Sequence, residues 1–268
     1  VSPSNLDESV ADYFSKEGTV SEWWTPDSGP LAFHYAAEVQ VLAEQLTIDP
    51  SWRVLDVGTG PGRFGAFFAE RGCRVTGVDL NPDMLEIAGE TARQRHVEDR
   101  FEVVRGSAED LSQFGEGEFD VVLCMELFDH LPDLGRALSE MRRKLKAGGR
   151  FVFTYVPSES IYGALGNVYR WLRVRLAPRD LLISRTYSLR EVRSQLSQRG
   201  LRLDDYWGVG VFCANAQTRL LGANAVIRGL TAVARAEASR WPYHRAPFLA
   251  RHGAHVVGLA TAVETDAG

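Results

Sequence analysis

Short apolar runs alternate with longer amphipathic blocks from residue 51 onward, and the two periods predict different elements. Strands are expected at 53–57, 74–79, 101–105, 119–124, 150–155, 201–211 and 255–263. The Val121-Val122-Leu123 run inside 119–124 is continuous, as in a strand buried on both faces. Helices are expected at 62–71, 82–94, 134–145 and 188–199. Pro82 near the first turn, with Asp83 and Glu86 close behind it, marks one start. Ser188 with Glu191 three residues on reads as a capping box, and Gly200 as its stop. Gly148-Gly149 would end the helix before it. Repeated strand–helix units imply right-handed crossovers and a parallel sheet, so the fold class is a doubly wound α/β sheet of seven strands. Residues 201–211 and 255–263 have no comparable capped helix between them, which lets the last strand run antiparallel.

Loops that meet a ligand leave the carboxyl ends of such strands. Two long segments, at about 157–185 and 213–251, should emerge there. With an N-terminal arm (1–50) they would form a helical lid over one domain (51–268). The segments carry arginines among aromatics, such as Arg170-Trp171 and Trp241-Pro242-Tyr243. We read them as a cap with solvated arginines rather than as a surface for anionic membrane.

Composition narrows the function. The 268-residue chain has a net charge of −5, which disfavours nucleic acid as the main partner. No apolar run is long enough to span a bilayer, and no signal peptide is visible. The three cysteines, Cys73, Cys124 and Cys213, are far apart and odd in number, which suits free thiols in a reducing, cytoplasmic compartment. Oligomeric state is not legible.

The chemistry starts at Val54-Leu55-Asp56-Val57-Gly58-Thr59-Gly60-Pro61-Gly62. A buried strand ends here in a turn whose missing side chains let a ligand lie against backbone N–H groups. The strand at 74–79 ends in Asp79, where an acid binds ribose hydroxyls in doubly wound folds. Gly60-x-Gly62-x-x-Gly65 also fits a dinucleotide fingerprint, so a nicotinamide dehydrogenase is the rival. Three features favour a mononucleoside instead. Asp56 stands inside the strand end, where a carboxylate can hold a cationic amino acid group. There is no second α/β half. Glu109 follows the strand at 101–105, within reach of an adenine amino group.

Together these motifs resemble the class I S-adenosylmethionine-dependent methyltransferases. The resemblance runs in order through Asp56-Val57-Gly58-Thr59-Gly60-Pro61-Gly62, Gly77-Val78-Asp79-Leu80, Gly106-Ser107-Ala108-Glu109, Phe119-Asp120-Val121-Val122 and Leu145-Lys146-Ala147-Gly148-Gly149-Arg150. It implies a Rossmann-like fold and S-adenosyl-L-methionine as cofactor, with S-adenosyl-L-homocysteine as product. It places Gly58, Gly60 and Gly62 against the methionine part and Asp79 on the ribose. Ser107, Ala108 and Glu109 would frame the adenine, Leu80 and Met84 would wall it, and Met125 would lie alongside.

Cys124-Met125-Glu126-Leu127-Phe128-Asp129-His130 comes next. In a helical turn Glu126, Asp129 and His130 would share one face. The order resembles the metal-binding turn of the ubiquinone-biosynthesis O-methyltransferases. So does Trp23-Trp24-Thr25-Pro26-Asp27-Ser28-Gly29, with His34 after it, resemble their N-terminal segment. Two departures stand out: Asp129 replaces a glutamate, and Gln40 stands where that family places an arginine. Two readings follow. Glu126, Asp129 and His130 hold a divalent ion such as Mg2+, or the carboxylates are solvated and His130 acts alone as a base. Tyr13, Trp23, Trp24, His34, Tyr155, Tyr162 and Tyr169 are candidates for an aromatic or hydrophobic acceptor pocket. The expected reaction is O-methylation of a phenolic, catechol or quinol-type small molecule. N- or C-methylation, or a cyclase that retains the cofactor, are the alternatives.

Overall fold

The computed structural model describes residues 32–160, 185–210, 240 and 243–263, with side chains from residue 35 onward. Tyr13, Trp23, Trp24, Tyr162, Tyr169, Cys213, the side chain of His34 and most of both lid segments lie outside the described residues.

Thirteen elements are described: α1 (Ala32–Gln45), β1 (Arg53–Val57), α2 (Arg63–Ala69), β2 (Arg74–Asp79), α3 (Pro82–Gln94), β3 (Phe101–Arg105), β4 (Phe119–Cys124), α4 (Leu134–Lys144), β5 (Leu145–Tyr155), α5 (Leu189–Ser197), β6 (Leu201–Val209), α6 (Pro247–Ala250) and β7 (His255–Ala262). The strands form one sheet in the order β3-β2-β1-β4-β5-β7-β6. Strands β1 to β5 pair in parallel. Strand β7 is antiparallel to both β5 and β6, so β7 alone is reversed. The chain winds outward from β1 to β3, then returns to place β4 on the other side of β1. The carboxyl ends of β1 and β4 therefore flank a crevice, the ordinary ligand position in such a sheet.

Alternation along the strands fills both faces. Val54 and Val121 join a core with Tyr35, Val41, Phe64, Phe68, Ala88 and Ala92, so α1, α2 and α3 cover one side. Leu55, Val57 and Val122 join Leu138, Met141, Val192 and Leu196 from α4 and α5 on the other. The caps act as their residues suggest. Asn81 caps α3 by accepting from Asp83 N–H at 2.9 Å, with Pro82 in the first turn. Ser188 and Glu191 close a reciprocal capping box on α5. Arg142, Arg143 and Lys144 end α4, where the helix dipole favours cations.

Several boundaries differ from the expectation. Gly62 is left-handed (φ 79, ψ 16), so α2 starts after it and ends at Ala69. Helix α4 stops at Lys144 because Leu145 turns extended to pair with Phe119. Strand β5 therefore begins at Leu145, before a register shift that takes up the Gly148-Gly149 stretch. Strand β6 ends at Val209, where Gly210 turns to φ 69. Residues 125–130 form turns instead of the helical turn expected there, and Glu126 has φ 54.

Gly258 on β7 pairs with Phe153 on β5. A Cβ there would meet the Phe153 ring at 2.4 Å. That ring is stacked on Phe151 and Phe128 and cannot yield cheaply. Gly258→Val should destabilise the fold by about 1–3 kcal/mol through overpacking, read as a lower urea midpoint at an unchanged slope. An unchanged midpoint would show that the ring moves freely.

Candidate active site

The turn after β1 is stapled to the end of β2. Gly58 and Thr59 N–H both donate to Val78 O, at 2.8 and 2.9 Å, and Gly60 N–H donates to Asp79 Oδ2 at 2.9 Å. Gly58 and Gly60 take positive φ (70 and 51), which glycine adopts without steric cost. A Cβ on Gly60 would meet no atom within 4 Å, so this backbone lies bare to the crevice. A Cβ on Gly58 would strike Leu127 at 2.7 Å.

Two residues assigned to the cofactor stand outside the crevice lining. Gly62 does not line the crevice. A Cβ there would meet Phe101 and Ala88, so the glycine admits close packing of the turn on α3 and β3. Asp56 is buried and also stands back from the crevice, accepting from Thr59 Oγ1 at 2.7 Å. Burial lifts its pKa to about 6, against the lowering bonds from Thr59 and the Gly65 backbone. Asp56 anchors the turn from beneath.

Gly58, Gly60, Asp79, Leu80, Met84, Ser107, Ala108, Glu109 and Met125 do line one crevice. Asp79 accepts from Gly60 N–H on one oxygen and Asn81 N–H on the other. Burial raises its pKa, opposed by those backbone bonds. A carboxylate offers about four lone-pair sites, which leaves Asp79 acceptor capacity for a ligand hydroxyl. Gly106 N–H donates to Asp79 O at 3.0 Å, which sets the next loop beside it. Glu109 Oε1 accepts from Asp133 N–H at 2.7 Å, tying that loop to the start of α4. Asn81 also lines the crevice; its buried Nδ2 has no hydrogen-bond partner among the described residues.

The far wall comes from the turn after β4 and the start of α2: Glu126, Leu127, His130, Leu131, Pro132, Arg63 and Phe64. Glu126 N–H donates to Thr154 Oγ1 at 2.6 Å. Its Oε2 lies 2.7 Å from Arg63 Nη2. His130 Nε2 lies 3.5 Å from Asp129 Oδ2, and Asp129 itself is buried behind the wall. Tyr155 is buried at the end of β5 and does not line the crevice.

The metal reading of Glu126, Asp129 and His130 does not fit this geometry. The turns aim Glu126 toward Arg63 and keep Asp129 behind His130, so the three do not converge. Among the described residues, the group of three whose ligand atoms lie within 4.8 Å of one another is Glu38, Glu126 and His255. Sequence reasoning missed Arg63, Phe64, Asn81, Leu131 and Pro132. Arg63 follows the third glycine directly and Asn81 caps a helix at Asp79, and these positions were the available signals.

A methyltransferase domain model matches residues 55–153, the span from β1 to β5 that builds the crevice. The ubiquinone biosynthesis O-methyltransferase of Bordetella avium is 31% identical over 186 residues, covering 65% of this chain and 72% of that protein. Its namesake from Xanthomonas axonopodis pv. citri is 29% identical over 208 residues, covering 77% and 85%. Among solved structures, geranyl diphosphate C-methyltransferase from Streptomyces coelicolor A3(2), solved with Mg2+, geranyl diphosphate and S-adenosyl-L-homocysteine, superposes with a TM-score of 0.62. That match has 18% identity over 96% of this chain and 98% of that one, and speaks for the fold. With the glycine turn, the acid at the end of β2 and the crevice between β1 and β4 in place, the chain belongs to the S-adenosylmethionine-dependent methyltransferases of class I.

Proposed function

We propose that this enzyme methylates a hydroxyl oxygen on a small phenolic, catechol or quinol-type acceptor. The observation that carries the reading is His130, an imidazole in the crevice wall backed by the Asp129 carboxylate at 3.5 Å. The names of the curated relatives point the same way.

The residues present fit the cofactor. The bare backbone of Gly60 admits a ligand, Asp79 has acceptor capacity to spare, and Asn81 Nδ2 is a donor without a partner among the described residues. Leu80, Met84 and Met125 supply apolar walls. When bound, S-adenosyl-L-methionine supplies a methyl already activated by its sulfonium, so no further activation of the donor is needed. What the chain must do is align the acceptor, exclude water and take a proton. When bound, the cofactor would give its methyl to the acceptor oxygen, and the hydroxyl proton would pass to His130 Nδ1, because Nε2 faces Asp129. Imidazole suits that task because it exchanges protons near neutral pH. Asp129 orients the ring, as a carboxylate does behind a general base. Leu127, Leu131, Pro132 and Phe64 give the acceptor side an apolar lining suited to a ring.

Incubation with S-adenosyl-L-methionine labelled in the methyl group and 3,4-dihydroxybenzoate or catechol should yield a labelled methyl ether. Label on nitrogen or carbon of other acceptors, with none on these, would contradict the reading. His130→Ala should lower kcat by about 10²- to 10⁴-fold while S-adenosyl-L-homocysteine affinity, read by calorimetry, stays nearly constant. An unchanged kcat would remove His130 from the proton transfer.

A further inference from the structure

Behind the crevice wall lies a buried group of charges that the mechanism above does not use. Glu38 on α1 is fully buried, and its Oε1 lies 2.9 Å from His255 Nδ1. The same Nδ1 lies 4.0 Å from Glu126 Oε1. Arg63 holds the other Glu126 oxygen at 2.7 Å, and its guanidinium sits 4.6 Å from the centre of the Tyr35 ring. Tyr35 O–H in turn donates to the Arg63 carbonyl at 3.1 Å. Two carboxylates and two cations thus join four elements: α1, the start of α2, the turn after β4 and the start of β7.

The topology explains how these residues meet. His255 is the first residue of β7, and β7 alone runs against the sheet, with Val256 opposite Tyr155. A reversed strand puts its beginning at the ligand edge, where the other strands end. Glu126 has φ 54, a conformation an L side chain adopts only when its surroundings dictate it. Here they do: Thr154 Oγ1 takes its N–H, and Arg63 and His255 flank its two oxygens.

We propose that Glu38 and His255 are positioning residues for methyl transfer: through the Glu126 carboxylate they fix the acceptor wall of the crevice and clamp α1 against the start of α2. This rests on the reading of that wall as the acceptor side. The charges decide between an ion-pair network and a cation cage. Glu38 and Glu126 are already balanced by Arg63 and a protonated His255. A divalent ion would have to displace that proton and leave Arg63 facing added positive charge at short range, which a buried site opposes.

Burial draws the His255 pKa down, but the Glu38 hydrogen bond and the charges of Glu38, Glu126 and Asp129 outweigh it and raise it to about 9. Burial and the Glu126 charge raise Glu38 to about 6, against the lowering effect of His255 and Arg63. Both folded values exceed the ordinary ones. The stability linked to the His255 proton is whole below its ordinary value and is lost as pH rises through 9. Any linked to the Glu38 proton is lost as pH rises through 6. Between these limits the pair is an ion pair, and the network is complete.

The test uses two readouts. In the first, imidazole proton resonances of the full chain are followed against pH by NMR. His255 should titrate near 9 in the wild type and fall to the ordinary histidine range or below in Glu38→Gln. The second is kinetics with catechol as acceptor. Glu38→Gln and His255→Gln should raise the acceptor KM or lower kcat by about 10- to 100-fold, while S-adenosyl-L-homocysteine affinity changes less than about threefold. Glu38→Asp should recover part of the loss. Should the single variants misfold, the wild-type titration still decides, and it needs no acceptor. An ordinary wild-type titration of His255 overturns the proposal. So do variants that lose thermal stability with acceptor KM and kcat intact. Mn2+ that raises the melting temperature of the wild type but not of Glu38→Gln would make the trio a cation site and overturn it too. If the wild type transfers no methyl to catechol or related phenols, the O-methylation reading fails separately, and the titration alone judges the positioning role.

Discussion

The structure depends on one hydrogen-bonded junction, the turn after β1 docked on the end of β2. Three successive N–H groups, from Gly58, Thr59 and Gly60, are spent on Val78 O and the Asp79 carboxylate. That junction holds two strand ends in register and fixes two positive-φ glycines. It also leaves the backbone of Gly60 open toward the crevice. Asp56 braces it from below through Thr59, and Gly62 lets it pack on α3 and β3. A methyl donor needs little from a protein except a place, and the place we propose is this turn.

The acceptor side is built by a different rule. The β1–β4 crevice follows from the order in which parallel strands are laid down, whereas the far wall needs β7 to run backward. Reversal brings His255 to the same edge as Glu126 and lets α1 reach both. Buried charges there are costly unless paired, and pairing makes the wall rigid. His130, the proposed base, then stands on a turn braced by these pairs, and methyl transfer depends on such alignment.

Much of this was legible in the residues. The bounds of β1, β2, α3, β3 and β4 follow directly from apolar runs, Pro82 and terminal acids, because each is a local signal. The crevice residues Gly60 and Asp79 follow from loop position in a parallel sheet, and Leu80 and Ser107 from the resemblance of their motifs to the family's. The failures share a cause. Spacing placed Glu126, Asp129 and His130 on one helical face, but spacing carries no information on φ, and Glu126 is left-handed. Asp56 and Gly62 stand outside the crevice lining, because sequence shows that a position is special without showing which way it faces. The early start of β5 hides in a register shift. Glu38 and His255 are 217 residues apart, and no local pattern joins them.

The central claim is that the Asp79 carboxylate and the turn it holds bind an adenosyl sulfonium or its product. Calorimetric titration with S-adenosyl-L-homocysteine and with NAD, on the wild type and Asp79→Asn, tests it most directly. The account predicts saturable binding of S-adenosyl-L-homocysteine, none of NAD, and an affinity about 10- to 100-fold weaker in Asp79→Asn, the loss expected for hydrogen bonds to a charged group. Absence of binding in the wild type, or tighter binding of NAD, would contradict it.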